Sequence, residues 1–328
     1  MEQSSRRFLV LGRVGDKSLH KSWIEDQSCD RNWDLQLNAY GKDESRIQDG
    51  DLPPVIDRGT KWDSIARHFN AQPELLDRYE YVMLPDDDLL MTARDINRLF
   101  DIVVENGLTM AQPALSIESY ISWPVLLRSS QFKLRYVNFV ESMACCIKSS
   151  YLKKLLPMFE QHYTGWGTDM IWTMLMEDPS YQAAVIDDVV MTHTRPLYSG
   201  PLYSSYQEGV DPRNELATLT ASFENMPGAM LVYGGVLANG RKVGGFEAQL
   251  RNGLQLFGMV RKSKLPLNTA RMGVAMLIRM FTKAGYRPEQ LRPVLGAPIT
   301  NLLLGRSPAA AQGGAATSAA GIEQRQAA

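Results

Sequence analysis

The sequence predicts an α/β fold: a mixed, mainly parallel sheet flanked by helices, then a helical C-terminal extension and a disordered tail. Three observations carry that expectation. Between Arg7 and about Thr194, short apolar or alternating runs of strand type take turns with helical patterns, the order expected of a largely parallel sheet. After Pro196 the character changes to a loop rich in Gly, Pro, Ser and Tyr, and then to amphipathic stretches. From Ser307 to Ala328 the chain is mostly Ala, Gly, Ser and Gln, which offers too little apolar surface to order itself. The resulting boundaries are 1–196 for the α/β domain, 197–306 for the extension and 307–328 for the tail.

The elements follow in order. Phe8-Leu9-Val10-Leu11, ended by Gly12-Arg13-Val14-Gly15, is a continuous apolar run, as in a strand buried on both faces. Residues 33–40 alternate, with Leu35 and Leu37 on one side. Residues 79–84 form the clearest strand, aromatic and branched, stopped by Pro85 and an acidic cluster. Residues 92–106 put Ile96, Leu99, Phe100 and Val103 on one helical face; Thr92 caps the start, with Asp95 three residues on, and Gly107 follows the end. Residues 183–186 and 189–191 read as two short strands. In the extension, 214–223 reads as a helix and 231–243 as a hairpin turning at Asn239-Gly240. Residues 246–260, 267–284 and 288–304 are three amphipathic stretches.

Composition narrows the partners. The 328 residues carry 35 basic and 36 acidic side chains, a formal net charge of −1 that removes a global electrostatic case for nucleic acid or an anionic membrane. A local patch survives that argument. Three cysteines (Cys29, Cys145 and Cys146) and four histidines are too few for a disulfide scaffold, a cysteine-built zinc site or a histidine-rich metal centre. The run 8–11 is too short for a signal-peptide core or a membrane span, so a cytoplasmic protein is expected. Residues 272–281, with Arg279 inside and Arg271 and Lys283 at the flanks, read as an amphipathic helix buried on one side. This stretch is where peripheral contact with the inner face of a membrane would occur.

Chemistry gathers at strand ends, where ligands sit in open α/β sheets. Asp86-Asp87-Asp88 follows the clearest strand. Three adjacent carboxylates repel, and Mg or Mn compensates such clusters by taking oxygen ligands and bridging carboxylates to phosphates. Asp86 and Asp88 project to the same side of an extended segment. The alternative is a solvated acidic loop favoured by the next helix dipole. In Tyr163-Thr164-Gly165-Trp166-Gly167-Thr168-Asp169, two glycines permit a turn that presents Trp166 as an apolar face for a sugar ring, and Asp169 falls in the first helical turn. A core Trp and a capping Asp are the plainer reading. Glu141 is ionisable among Phe139, Val140 and Met143, and is either paired structurally or held for acid–base or sugar-hydroxyl contacts. His193, just past 189–191, is by itself more often a hydrogen-bonded residue than a ligand. Lys61-Trp62 after Gly59, and the turn from Gly12 through Val14 to Gly15, suit an approach to phosphate. Neither completes a dinucleotide fingerprint or a Walker pattern.

Taken in order, the strand with Asp86-x-Asp88, Gln112-Pro113-Ala114, Val140-Glu141, Gly165-Trp166-Gly167-x-Asp169 and His193 resemble the domain of unknown function 707 family. Its members look like nucleotide-diphospho-sugar transferases of the GT-A fold. The resemblance covers about residues 59–193, reaches weakly to the first strand, and shares its Gly-Trp-Gly-x-acid element with the acceptor side of inverting galactosyltransferases. It implies a GT-A-like, Rossmann-like sheet and a metal-dependent glycosyltransferase. Such an enzyme moves a sugar from a nucleotide-diphospho-sugar donor to a glycan or other hydroxyl acceptor, with inversion. It implies that Asp86 faces the ribose or the Mn or Mg ion, and that Asp88 and His193 are metal ligands. Trp166 and Gly167 would meet the acceptor, with Asp169 as base and Glu141 its rival. Lys61, Gln112 and the first-strand residues Gly12 and Val14 would lie near the nucleotide diphosphate. Asp87 is left without a role. Two other readings stay open: a non-catalytic nucleotide-sugar-binding or assembly protein on the same fold, and a phosphoryl-transfer hydrolase with Asp86 as nucleophile.

Overall fold

A computed structural model of the protein describes residues 5–26, 28–161, 164–197, 199, 211–288 and 291–294. The first apolar run becomes β1 (Phe8–Val14), buried along its whole length, followed by the short helix α1 (His20–Ile24). β2 (Trp33–Ala39) pairs with β1 in parallel, and β3 (Val55–Ile56) extends that edge. Helices α2 (Lys61–Ala71) and α3 (Glu74–Arg78) lead into β4 (Tyr81–Pro85), which lies on the other side of β1. There follow β5 (Leu89–Leu90), α4 (Ala93–Glu105), β6 (Met110–Leu115), β7 (Phe132–Val137), β8 (Ala144–Lys148), α5 (Ser149–Phe159), α6 (Thr168–Ile171) and β9 (Ala183–His193). The last elements are α7 (Pro212–Ala221), β10 (Phe223–Glu224), β11 (Val232–Leu237), β12 (Lys242–Gly244), α8 (Gly245–Met259), α9 (Pro266–Thr282) and β13 (Arg292–Pro293).

One large sheet has the order β12-β11-β7-β9-β6-β8-β4-β1-β2-β3, with β5 paired to β9 off this path. Strands β1, β2, β3, β4, β6, β9 and β11 run one way, and β7, β8 and β12 run against them. The sheet is therefore mixed and mainly parallel, as the sequence predicts. Helices cover it: α2 and α3 pack on α5, while α4 lies on β6, β9 and α1. Helix α4 keeps the expected apolar face, with Ile96, Leu99, Phe100 and Val103 fully buried, each contributing about 1.5–3 kcal/mol. The Phe100 ring stacks on Phe8 with centroids 4.5 Å apart. Thr92 and Asp95 form a complete capping box at its start, worth about 1 kcal/mol.

Two local expectations change. Residues 183–193 form one strand rather than two, because Asp187 is not a break. Its carboxylate is fully buried and accepts from Arg135 Nε and a terminal guanidinium nitrogen at 2.8 and 2.9 Å, and the register with β6 shifts beside it. In the third amphipathic stretch, Arg292–Pro293 pair as a strand with β10 rather than as a helix; Pro293 has no N–H for a helical hydrogen bond. Residues 295–304 of that stretch and the tail 307–328 lie outside the described residues. The expected hairpin forms as β11 and β12 with Gly240 at φ +87°, and it joins the main sheet through β7, so the extension continues the sheet. Helix α8 packs on β11. Among the described residues, no helix is long and apolar enough to cross a membrane.

Candidate functional site

The carboxyl ends of β1, β4 and β9 open on a cavity of about 870 Å³. Eight residues singled out from the sequence line it: Lys61, Asp86, Asp88, Glu141, Trp166, Gly167, Asp169 and His193. Gly12, Val14 and Gln112 do not. Gly12 lies under Trp23, where a Cβ would stand 2.9 Å from the indole ring, so it is a packing glycine. Val14 is buried in the core. Gln112 lies beneath Glu141, and its side-chain carbonyl accepts the Glu141 backbone N–H.

The three adjacent aspartates divide their tasks. Asp87, left without a role by sequence reasoning, is the buried anchor: Oδ2 accepts from the Gly15 N–H at 2.7 Å and the Tyr40 hydroxyl at 2.8 Å, and Oδ1 from Arg195 at 2.8 Å. It ties together the segments that follow β1, β2 and β9. Asp86 accepts from Lys61 Nζ at 2.6 Å; Lys61 also donates to the carbonyls of Leu84 and Ser142, both at 2.8 Å. Asp88 faces the cavity with Oδ2 3.4 Å from His193 Nε2, and its buried Oδ1 has no hydrogen-bond partner. Burial alone would raise the Asp88 carboxyl, but the hydrogen bond and charge of His193 outweigh it and hold Asp88 below the usual range. The same pairing overcomes burial at His193 and raises the imidazole.

His193 Nδ1 lies 2.7 Å from the Tyr120 carbonyl. A carbonyl only accepts, so Nδ1 carries a proton, and Nε2, the atom that faces Asp88, holds the second proton of the raised imidazole and donates it to the carboxylate. Asp86, Asp88 and His193 do not converge as a ligand trio, since Asp86 turns to Lys61. Among the described residues, no group of three His, Cys, Asp or Glu side chains is arranged to hold a metal ion.

Two further carboxyls, Glu141 and Asp169, line the same cavity. Burial lifts Glu141 to about 8, the Asp169 charge adds to the lift, and a hydrogen bond from Ser122 opposes it. Glu141 Oε2 is buried without a partner. Asp169 is pushed up to about 7 by burial, against backbone N–H groups that include those of Ser142 and Met170. The glycines beside Trp166 are required by close contacts as well as by backbone sign. Gly165 has φ +74°, and a Cβ there would be 1.9 Å from Trp62; Gly167 has φ +92°, and its Cβ would be 2.8 Å from Leu216 of α7. Trp62 is itself wedged between Phe159 and Trp172, with centroids 4.5 and 5.3 Å away. The turn that carries Trp166 is thus clamped from below by α2 and from above by α7.

Sequence reasoning missed Arg13, Arg58, Thr60, Trp123 and Arg195, which also line the cavity. The Arg13 guanidinium is buried and donates to Asn38 Oδ1 at 2.6 Å and to the carbonyls of Asp57 and Gly59. Burial lowers it to about 10. Thr60 precedes α2 and its hydroxyl is buried without a partner. A Gly-Thr pair before an amphipathic run is a recognisable helix-start signal; nothing in spacing marks Arg58, Trp123 or Arg195.

Among curated proteins, no sequence matches the chain. Among solved structures, one of GalNAc-T7 with UDP, GalNAc and Mn2+ is similar over 67% of this chain, at 7% identity and a TM-score of 0.47. This chain spans about half of that one, 48%. A structure of S. aureus TarS 1-349 in complex with UDP-GlcNAc is similar over 85% of this chain and 73% of its own, at 12% identity and a TM-score of 0.42. Residues 55–215 match the profile of the family described as "Protein of unknown function (DUF707)", the family that the ordered motifs resemble.

Proposed function

We propose that the protein is a metal-assisted glycosyltransferase that moves a sugar from a nucleotide-diphospho-sugar to a hydroxyl acceptor. The observation that carries this reading is the meeting, in one cavity, of the Asp88–His193 pair, the N-terminus of α2 and two raised carboxyls beside Trp166.

A divalent cation fits Asp88 and His193. Asp88 Oδ1 is an acceptor in need of a partner, and with Nδ1–H held by the Tyr120 carbonyl, His193 Nε2 can exchange its proton for a cation. Mg and Mn sites often use one or two protein ligands and complete their shell with phosphate oxygens and water. When bound, the ion would supply neutralisation of the charge that develops on the departing diphosphate. Phosphate oxygens would meet the amides that open α2, the unpartnered Thr60 hydroxyl and the exposed Arg58. Asp86, held by Lys61, would face the ribose.

The two carboxyls separate by environment. Asp169 receives backbone N–H donors and so carries the negative charge more readily, while Glu141 has a bare, buried Oε2 and keeps its proton near neutrality. Asp169 is then the base that takes the acceptor proton during attack at the anomeric carbon. Glu141 donates a hydrogen bond to a sugar hydroxyl. Trp166 gives the acceptor ring an apolar face, and direct attack with Asp169 as the only base inverts the configuration.

The test is thermal shift of the full chain against nucleotide sugars and free nucleoside diphosphates, with and without Mn. A Mn-dependent rise with one nucleotide series is expected, and Asp88→Ala should abolish it. No shift with any nucleotide in the presence of Mn rejects the reading. A binding protein without catalysis would show the shift yet tolerate Asp169→Asn in its biological role.

A further inference from the structure

We infer that the outer face of α8 and α9 is a docking surface for an anionic lipid bilayer. The two helices meet at Gly253 and Gly273: a Cβ on Gly253 would stand 3.1 Å from the Gly273 carbonyl oxygen, and one on Gly273 would stand 3.2 Å from the Phe257 ring. Their inner faces are buried through Ala248, Asn252 and Leu256 on α8 and Thr269, Met276 and Met280 on α9. The core is therefore served by one side of each helix, and a water-facing outer side would be polar.

It is not. Phe246, Leu254 and Phe257 of α8 are exposed, as are Leu267, Val274, Ile278 and Phe281 of α9, Phe281 to 75%. The spacings 246, 254, 257 and 267, 274, 278, 281 keep each set on one helical stripe. The Phe246 and Phe281 rings touch edge to face with centroids 5.7 Å apart, which joins the two stripes into one patch. A contiguous exposed apolar patch of this kind marks an interaction surface.

Charge identifies the partner. Residues 245–288 carry eight Lys and Arg side chains and one acidic residue, Glu247, which is already paired with Arg241 and Arg251, in a chain whose formal net charge is −1. Arg261 and Lys262 follow α8, Arg271 lies in the stripe of Leu267 and Val274, and Lys283 follows α9; all four are exposed. Apolar side chains rimmed by cations match the boundary between acyl chains and anionic headgroups, where long basic side chains reach the phosphates while their stems cover apolar surface. A second copy of the chain paired about a twofold axis would set these cations against one another, which repels. With no spanning helix among the described residues, the contact is in the plane of the surface. The inference is independent of the chemistry proposed for the cavity.

The test is flotation of the full chain with vesicles of phosphatidylcholine mixed with phosphatidylglycerol, against pure phosphatidylcholine, at low and high salt, with light scattering alongside. Binding to the anionic vesicles, weakened by salt, is expected. Phe281→Glu and Ile278→Glu should each reduce it roughly tenfold or more while leaving the melting temperature unchanged, because both sites are exposed. Phe281→Leu should retain it. No flotation of the unmodified chain with anionic vesicles, or equal flotation of Phe281→Glu, overturns the inference. So does a two-copy mass that collapses to one copy in Phe281→Glu, which assigns the face to self-association.

Discussion

Glu141→Gln removes a carboxyl that the fold holds in its neutral form. The folded chain raises Glu141 from 4.5 to about 8 through burial, with the Asp169 charge adding to it. Between those two pH values the folded chain keeps a proton that the unfolded chain has already released. Raising pH therefore favours unfolding: the penalty is absent below 4.5, grows through the window and is complete above about 8. At about 1.36 kcal/mol for each pKa unit, the loss across the window is on the order of 5 kcal/mol. Urea unfolding at fixed pH steps from about pH 5 to about pH 9 reads it directly. The unmodified chain should lose stability across this range, whereas Glu141→Gln should show a shallower fall and be the more stable of the two at the alkaline end. Asp169, also raised, contributes a fall of the same sign to both proteins, so the difference between them isolates Glu141. Parallel slopes in the two proteins, or stability that rises with pH in the unmodified chain, would refute the claim that burial sets this carboxyl.

Three further outcomes follow from other parts of the molecule. Asp169→Asn should keep the donor affinity measured by calorimetry yet stop sugar transfer; retained turnover would pass the base role to Glu141. Arg135→Met should cost about 3–5 kcal/mol in equilibrium unfolding, because Asp187 would be left as an uncompensated buried charge; a loss under about 1 kcal/mol contradicts the pairing. Gly165→Ala should lower the melting temperature by several degrees, since the new Cβ meets Trp62 at 1.9 Å in a backbone conformation of φ +74°; an unchanged melting temperature would remove the clamp on the Trp166 turn.

The sheet was legible because its strands are marked twice, by apolar runs and by what stops them. β1 runs on through Gly12, Arg13 and Val14, which the sequence suggested as its end, and stops before Gly15, while β4 ends in Pro85 with its aspartates, so both strands and the site at their ends could be read together. Helix α4 was legible to its capping box. β9 was read as two pieces because Asp187-Asp188 looks like a polar break, and the Arg135 that makes Asp187 a strand residue is distant in sequence. The same cause hid part of the site. Asp87 is the centre of a network of Gly15, Tyr40 and Arg195, none of which a local pattern connects to it. Gly12, from its place in a glycine-bounded turn, and Gln112, from its place in the ordered motif, suggested ligand contacts, yet their neighbours, Trp23 and the Glu141 backbone, give them packing and supporting contacts. Periodicity reports which face is buried, and it is silent on which distant side chain arrives there.

The acidic cluster also changes meaning once its partners are known. Three adjacent carboxylates suggested a cation, with Asp86 and Asp88 both turned towards it. Lys61 already answers Asp86, and Arg195 answers Asp87, so an incoming ion would meet chiefly Asp88 and His193. One carboxylate and one imidazole make a weak site for Mg or Mn, both of which prefer more oxygen ligands. The missing ligands would come from the diphosphate, which the N-terminus of α2 would hold nearby. Metal alone should then bind poorly and nucleoside diphosphate alone modestly, while each should tighten the other by the same factor, as linkage requires. Tight binding of Mn without nucleotide would contradict this division of the three aspartates.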